Sequence, residues 1–305
     1  MKRPIVIIAG PTAVGKTSTS VAFAKDAGGE VVSCDSMQVY RRMDIGSAKV
    51  TRAEMQGVPH HLIDILEPTE PFDVTVFQEK AKEAIEGIYA RGHLPVLAGG
   101  TGFYIQSVLY DIDFTENGED RAYRASLQDF ADEFGAAALK ERLRAVDPAA
   151  AEAIPTNNVK RVIRALEYFE QTGERISDHN ARERQKESPF DYRYYVLTMD
   201  RGKLYERIGA RVDRMMEEGF LDEVRRLKEE GCTAGMTSMQ GLGYKQLLSY
   251  LNGSGTLSEA VEKIKAETRH FAKRQLTWFR RERGVVYIDV EKENVQDILR
   301  SGTFG

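Results

Sequence analysis

Gly10-Pro11-Thr12-Ala13-Val14-Gly15-Lys16-Thr17 follows directly on the apolar run Ile5-Val6-Ile7-Ile8-Ala9 and leads into a helix-compatible run, Ser18 to Lys25. The stretch matches G-x-x-x-x-G-K-[ST], and a short β-branched strand opening into a helix is the setting in which that pattern holds phosphate. Glycines at 10 and 15 permit backbone conformations in which successive N–H groups converge on an anion at a helix N-terminus. Lys16 adds a point charge, and the Thr17 hydroxyl is suited to complete a magnesium shell. The motif leaves open which phosphate compound is bound.

The 305-residue chain is long enough for a full core and for one large domain with an elaboration, or two domains. Its 43 basic and 47 acidic residues leave a net charge of −4, so a nucleic acid partner would need a local basic patch. Two cysteines, Cys34 and Cys232, make no disulfide framework, and no Cys/His spacing suggests zinc. The apolar run behind Lys2 and Arg3 is too short for a signal peptide or membrane span. A soluble cytoplasmic protein is expected.

Beyond the loop, strands at Glu30–Cys34 and Leu94–Ala98 each end in polar or glycine-rich chemistry, the first in Asp35-Ser36-Met37-Gln38, the second in Gly99-Gly100-Thr101-Gly102. Residues just past a strand's C-terminal end face the ligand crevice of an α/β sheet. Asp35 is therefore either a group facing the phosphates or an aspartate serving a turn or cap. Residues 43 to 59 lack periodicity and read as a mobile connection. The neighbouring His60 and His61 point to opposite faces if that stretch is a strand, which argues against a shared metal. Helical spacing at Val76, Phe77, Ala81, Ala84, Ile85 and Ile88 predicts a helix stopped by Gly92.

From about residue 115 to 191 the pattern is helical, with runs at 136–146 and 159–171. Pro155-Thr156-Asn157-Asn158 caps a helix whose apolar stripe includes Val162, Ile163 and Leu166, leaving a basic edge of Lys160, Arg161 and Arg164. Strand character returns at Tyr192–Met199. A following helix carries Arg207, Arg211 and Arg214, of which Arg207 and Arg211 share a face. The glycine-punctuated stretch around Tyr244 and Lys245 reads as a binding loop. The last long helix ends in a stretch from Arg269 to Arg283 with six Lys/Arg against one Glu, interleaved with Phe271, Trp278 and Phe279. Charge mixed with rings is a footprint for structured RNA or single strands, although some rings will face the core. The expected fold is α/β, a P-loop NTPase-like parallel sheet flanked by helices (1–114 and 192–305) with an all-α insertion (115–191).

Taken in order, Gly10-Pro11-Thr12-Ala13 with Gly15-Lys16-Thr17, Asp35-Ser36 with Val39-Tyr40, Gly99-Gly100-Thr101-Gly102 with Tyr104, Arg161 with Arg164-Ala165-Leu166-Glu167, Arg207-Ile208 with Arg211-Val212-Asp213, Gly243-Tyr244-Lys245, and Arg274-Gln275 with Thr277-Trp278-Phe279-Arg280 resemble the bacterial tRNA dimethylallyltransferases. The resemblance implies transfer of a dimethylallyl group from its diphosphate to the exocyclic amine of the adenosine beside the anticodon. It implies a diphosphate held by residues 10–17, including Pro11, Thr12, Ala13 and Val14, with Mg2+ at Thr17 and an arginine, Arg207 or Arg211. Asp35 becomes the general base, with Ser36, Met37, Gln38 and Thr101 lining the RNA mouth. The insertion, through Arg124, Lys160, Arg161, Val162, Ile163 and Arg164, is expected to grip the anticodon arm. Further RNA contacts are expected from Tyr244, Lys245, Arg269, Lys273, Arg274, Gln275, Trp278 and Arg280. A monomer is expected. The rivals are a small-molecule P-loop kinase, an RNA-binding NTPase that does no chemistry on RNA, and a prenyltransferase acting on free adenine nucleotides.

Overall fold

In a computed structural model, residues 2–114 and 121–302 are described. Two compact units result, one from the chain up to Leu109 and again from Ser188 onward, the other from Tyr110–Glu187.

In the first unit, strand β1 (Arg3–Ala9) leads through the phosphate-type loop into helix α1 (Lys16–Ala27). Then come β2 (Gly29–Cys34), the short α2 (Arg52–Met55), β3 (His60–His61), α3 (Val74–Ala90), β4 (Leu94–Gly99) and α4 (Gly102–Leu109). The second unit holds α5 (Arg121–Val146, broken at Gly135 with φ 87°), α6 (Pro148–Ala153), α7 (Val159–Thr172) and α8 (Ile176–Glu183). The chain then returns to the first unit with β5 (Phe190–Thr198), α9 (Arg201–Glu217), α10 (Phe220–Glu229), α11 (Tyr244–Leu251), α12 (Leu257–Phe279), β6 (Val285–Asp289) and α13 (Val295–Ser301).

Among the described residues the strands form one parallel sheet in the order β3-β2-β4-β1-β5-β6. A parallel sheet must be covered on both faces, which is why β1 and β4 read as near-continuous apolar runs. One face packs Val6, Ile8, Val31 and Val96 against Val21, Phe23 and Ala24 of α1, Leu204 and Ile208 of α9, and Ala272 of α12. The other is covered by α3 and α4, with Phe77, Ile85, Ile105 and Val108 buried. Each such fully buried side chain contributes about 1.5–3 kcal/mol. The result for function is positional: the C-terminal ends of β1, β2 and β4 lie side by side, so the loops at residues 10–15, 35–38 and 99–101 share one crevice.

The second unit has its own core, built on Leu127, Leu139, Leu143, Val162, Ile163 and Leu166. Asn158 caps α7 as the sequence suggests, accepting the Arg161 amide at 3.3 Å.

Candidate active site

The loop has the backbone that its glycines permit. Gly10 sits at φ 150°, where a Cβ would approach the Leu197 carbonyl oxygen to 2.7 Å, and Gly15 at φ 107° turns the chain into α1. The Lys16 ammonium donates across the loop to the Pro11 carbonyl at 2.8 Å. Burial, reinforced by the nearby Arg211 guanidinium and opposed by the Asp35 carboxylate, pushes its pKa down to about 8. Thr17 opens on the cleft, and its hydroxyl makes no hydrogen bond among the described residues.

Asp35 follows β2 directly. Its Oδ1 accepts the Met37 amide at 2.8 Å and that of Gln38 at 3.4 Å, so it does serve a turn. Its other oxygen accepts no hydrogen bond among the described residues, and the side chain lines a chamber of about 100 Å³ together with Lys16, Thr17 and Arg211. Asp35 thus serves the turn, and its side chain also lines the chamber beside the phosphate-type loop. Gly99 and Gly100 line the same chamber, and Thr101 ties β4 to β2 through a bond from its amide to the Cys34 carbonyl at 3.3 Å.

Beside the chamber lies a cleft of about 850 Å³ lined by Arg207, Arg211 and Arg214 from one side of α9 and by residues 44–51 opposite. Arg211 reaches both spaces, whereas the exposed Arg207 lines only the outer one. Burial holds the Arg211 guanidinium below its usual range, against the pull of Asp35 and Glu54.

The wall at 44–51 corrects the expectation of a mobile connection. The buried Glu223 carboxylate accepts the amides of Asp44, Ile45 and Gly46 at 2.9, 2.8 and 3.1 Å, and the Tyr244 hydroxyl at 2.6 Å. From within, the Lys49 ammonium donates to the Tyr40 carbonyl, Asp44 and Asp64. A bare loop sequence gives no hint of a carboxylate so far along the chain, and Glu223 is a residue that sequence reasoning missed. Tyr244, expected to touch RNA, is a core residue with 0% exposure. Its neighbour Lys245 is exposed. Met37 packs against the turn before α11, where a Cβ on Gly241 would lie 2.7 Å from its sulfur.

Helix α12 corrects one more expectation. Gln275 does not face solvent: its side-chain carbonyl accepts the Thr12 amide at 2.9 Å and its amide donates to the Gly100 carbonyl at 2.9 Å. Both hydrogen-bonding ends are spent inside the protein, and a Cβ at Gly100 would overlap the Gln275 amide. Trp278 packs similarly where Gly102 leaves room, edge-on to Phe103, but keeps one side on a groove of about 380 Å³ shared with His270, Lys273, Arg274 and Arg281. Lys273, Arg280 and Arg281 are exposed, Arg269 half-buried, and none of them forms an ion pair among the described residues. The Arg274 guanidinium lies 5.8 Å from the Phe271 ring centre.

In the second unit, Arg124, Lys160 and Arg164 line one concavity of about 600 Å³ floored by Ile163. The fully buried Glu167 accepts from Arg124 at 2.8 Å and from Arg164 at 3.5 Å, fixing two cations of the edge by their inner nitrogens. Arg161 is exposed outside this concavity. Val162, with 0% exposure, and Ile163, with 4%, belong to the core, so neither offers the RNA contact expected of it beyond the sliver of Ile163 at the floor.

Among the described residues no cluster of three or more His, Cys, Asp or Glu side chains could hold a metal by itself, and no helix is long and apolar enough to cross a membrane. A magnesium ion, which keeps several waters and rides on substrate phosphates, needs only a donor such as the unengaged Thr17 hydroxyl, so the residues present fit one. Cys34 is a packed thiol whose pKa burial raises.

A family model described as IPP transferase matches residues 38–282, and one described as isopentenyl transferase matches residues 3–69. The chain is 54% identical over 292 residues to the tRNA dimethylallyltransferase of Lachnoclostridium phytofermentans, covering 96% of this chain and 93% of that protein. With the tRNA dimethylallyltransferase of Carboxydothermus hydrogenoformans it shares 48% over 298 residues, covering 98% and 96%. Among solved structures it resembles the full-length tRNA isopentenylpyrophosphate transferase of Bacillus halodurans, with a TM-score of 0.74, 45% identity and coverage of 99% and 95%. It also resembles a eukaryotic dimethylallyltransferase acting on tRNA, with a TM-score of 0.80, 28% identity and coverage of 98% and 77%. A phosphate loop facing a carboxylate across a small chamber, in a chain matched over nearly its whole length, has one consistent reading: the chain belongs to the IPP transferase family, that of the tRNA dimethylallyltransferases.

Proposed function

We propose that the enzyme transfers a dimethylallyl group from dimethylallyl diphosphate to the exocyclic N6 amine of the adenosine 3′ to the anticodon in tRNA. One observation carries the assignment of roles: Asp35 faces the same small chamber as Lys16, Thr17 and Arg211. The allylic carbon–oxygen bond breaks, its electron pair leaves with diphosphate, the N6–carbon bond forms, and the N6 proton passes to the open oxygen of Asp35. An exocyclic amine is a poor nucleophile because its lone pair is delocalised, and a positioned carboxylate contributes on the order of 10²–10⁴-fold. The loop amides, Lys16 and Arg211 hold the leaving charge, with Arg211 taking this role ahead of the exposed Arg207. Thr17 would hold a magnesium ion on the diphosphate, whose chemistry when bound is to neutralise that charge.

The base must leave the anticodon stack to reach the chamber. Ser36, Gln38 and Thr101 line its approach, the groove at Lys273, Arg274 and Arg281 holds RNA backbone, and the basic edge of the helical insertion grips the anticodon arm. The enzyme works as a monomer in the cytoplasm, where its tRNA substrate is found.

The test is transfer of label from dimethylallyl diphosphate to an unmodified tRNA transcript with magnesium, beside AMP as competing acceptor and ATP as competing donor. Label located to the adenosine beside the anticodon is expected. Label on AMP alone, or phosphoryl transfer from ATP, would overturn the proposal in favour of a free-nucleotide prenyltransferase or a kinase.

A further inference from the structure

Lys160, Arg164 and Glu167 stand at i, i+4 and i+7 of α7 and so share one face of that helix, which Arg124 of α5 reaches from the side. Glu167 is fully buried, with 0% exposure. Its Oε2 accepts from Arg124 Nη2 at 2.8 Å and from Arg164 Nη1 at 3.5 Å. Its Oε1 is buried as well and accepts no hydrogen bond among the described residues.

As a device for stability this is a poor one. A carboxylate drawn out of water loses its hydration, and with one oxygen left bare its partners repay that loss incompletely. An apolar side chain of similar volume would fill the seam between the helices at less cost. What it could not do is bring two guanidiniums together. Both bonds end on one oxygen, so the two donor nitrogens lie no farther apart than the sum of those two lengths, and the negative charge between them offsets a repulsion that would otherwise drive them apart.

The outer side of this arrangement is a surface for an anion. Arg124 and Arg164 remain 40% and 46% exposed and line the concavity of about 600 Å³. A guanidinium carries several N–H donors in a planar fork, enough to bond inward to a carboxylate and outward to a phosphate at once. Lys160 lines the same concavity and makes no ion pair among the described residues.

We infer that Glu167 is a positioning residue for RNA: it holds Arg124 and Arg164 as one two-armed clamp on a single backbone phosphate, while Lys160 takes a phosphate of its own. The inference rests on the grip of the insertion on tRNA proposed above.

The experiment measures steady-state transfer to tRNA in wild type, Glu167→Gln and Arg124→Lys. Lysine keeps the charge that Glu167 needs, so this variant tests the clamp even if the glutamine variant fails to fold; drawn inward, its compact ammonium has no fork to turn outward. KM for tRNA is expected to rise about tenfold in each, with kcat and KM for dimethylallyl diphosphate within about twofold of wild type. The two changes combined should add little to either alone, whereas Lys160→Ala should multiply with both. Arg124→Ala, Arg164→Ala and Glu167→Gln together remove the clamp without leaving a bare buried charge, and should flatten the slope of log affinity against log salt by about 0.7, the share of one phosphate. A tRNA KM within about threefold of wild type in Arg124→Lys, or a loss in Glu167→Gln shared equally with kcat and the diphosphate KM, would overturn the clamp, as would a slope flattened by twice that amount. If Lys160→Ala and the triple variant both bind tRNA as wild type does, the insertion does not grip RNA, and the reading beneath the inference falls with it.

Discussion

The Gln275 side chain, from a helix rich in basic residues, caps the Thr12 amide of the phosphate loop at 2.9 Å and by its other end holds the Gly100 carbonyl. Gln275→Leu leaves both backbone groups buried and unpaired, at a cost of about 1–3 kcal/mol. Gln275→Glu keeps the bond to Thr12 but sets a negative charge against the cradle. Dimethylallyl diphosphate affinity should fall in both, more in the glutamate variant, with tRNA affinity within a few-fold by filter binding. A drop in tRNA affinity matching that of Lys273→Ala would show Gln275 to be an RNA-binding residue after all.

Glu223 holds the wall opposite the phosphate loop by three backbone amides and the Tyr244 hydroxyl. Glu223→Gln replaces one acceptor oxygen with a donor that faces donors, so a loss of about 2–3 kcal/mol in chemical denaturation is expected, with a raised KM for the allylic diphosphate. Tyr244→Phe removes one bond of the set and should cost about 1 kcal/mol. Equal, negligible effects on stability in the two variants would contradict the clamp.

Lys16 gives a pH signature. Its folded pKa of about 8 lies below the ordinary 10.5, so between these values the unfolded chain holds a proton that the folded chain has released, and stability rises with pH across that window. Ligand binding runs the other way, because the diphosphate is held by the ammonium form. Affinity for dimethylallyl diphosphate should weaken above about pH 8 in the wild type, and Lys16→Arg should lack that dependence. A flat profile from pH 7 to 9.5 in the wild type would contradict it.

Glu30 supplies the acid counterpart. Arg91 chiefly, with His61 and His93, holds its buried carboxylate down at about 2 against the opposing effect of burial. A folded pKa below the unfolded one of 4.5 means stability that is fully present above pH 4.5 and lost as pH falls toward 2, on the order of 3 kcal/mol. Glu30→Gln should melt lower at pH 6 and show a shallower acid loss, read by thermal melts across that range.

The two basic surfaces differ in their pairing, and salt should separate them. Lys273→Ala with Arg281→Ala is expected to weaken tRNA binding and to flatten the slope of log affinity against log salt by about 0.7 for each phosphate no longer neutralised. Lys160→Ala should act the same way from the insertion, whereas Arg161, outside the concavity, should matter less. An unchanged slope in the groove variant would return α12 to a solvated face.

What the sequence showed was whatever depends on neighbours along the chain. The phosphate loop, the strand ends at Asp35 and Gly99, and most helices follow from local period and glycine placement, and the opposed faces of His60 and His61 follow from strand geometry alone. Roles set by distant partners were not legible. Gln275 and Tyr244 look like surface groups in a basic or glycine-rich stretch until Thr12 and Glu223 arrive from elsewhere to bury them. Residues 44–46 look slack because the carboxylate that orders them belongs to α10. The strand β6 escaped notice because a five-residue run at the sheet edge with Val286 and Tyr287 exposed carries too little periodicity, and the two residues of β3 supported a strand only as a condition.

The most direct measurement is the single-turnover rate of Asp35→Asn with both substrates saturating, alongside its tRNA affinity. Asparagine keeps the oxygen that accepts the Met37 and Gln38 amides and removes the capacity to take a proton together with the carboxylate charge that faces Lys16 and Arg211. The expected result is a rate lowered by about 10²–10⁴-fold with tRNA affinity within a few-fold of wild type. A rate near wild type, or a loss confined to tRNA binding, would contradict the assignment of Asp35 as the base between the phosphate cradle and the RNA.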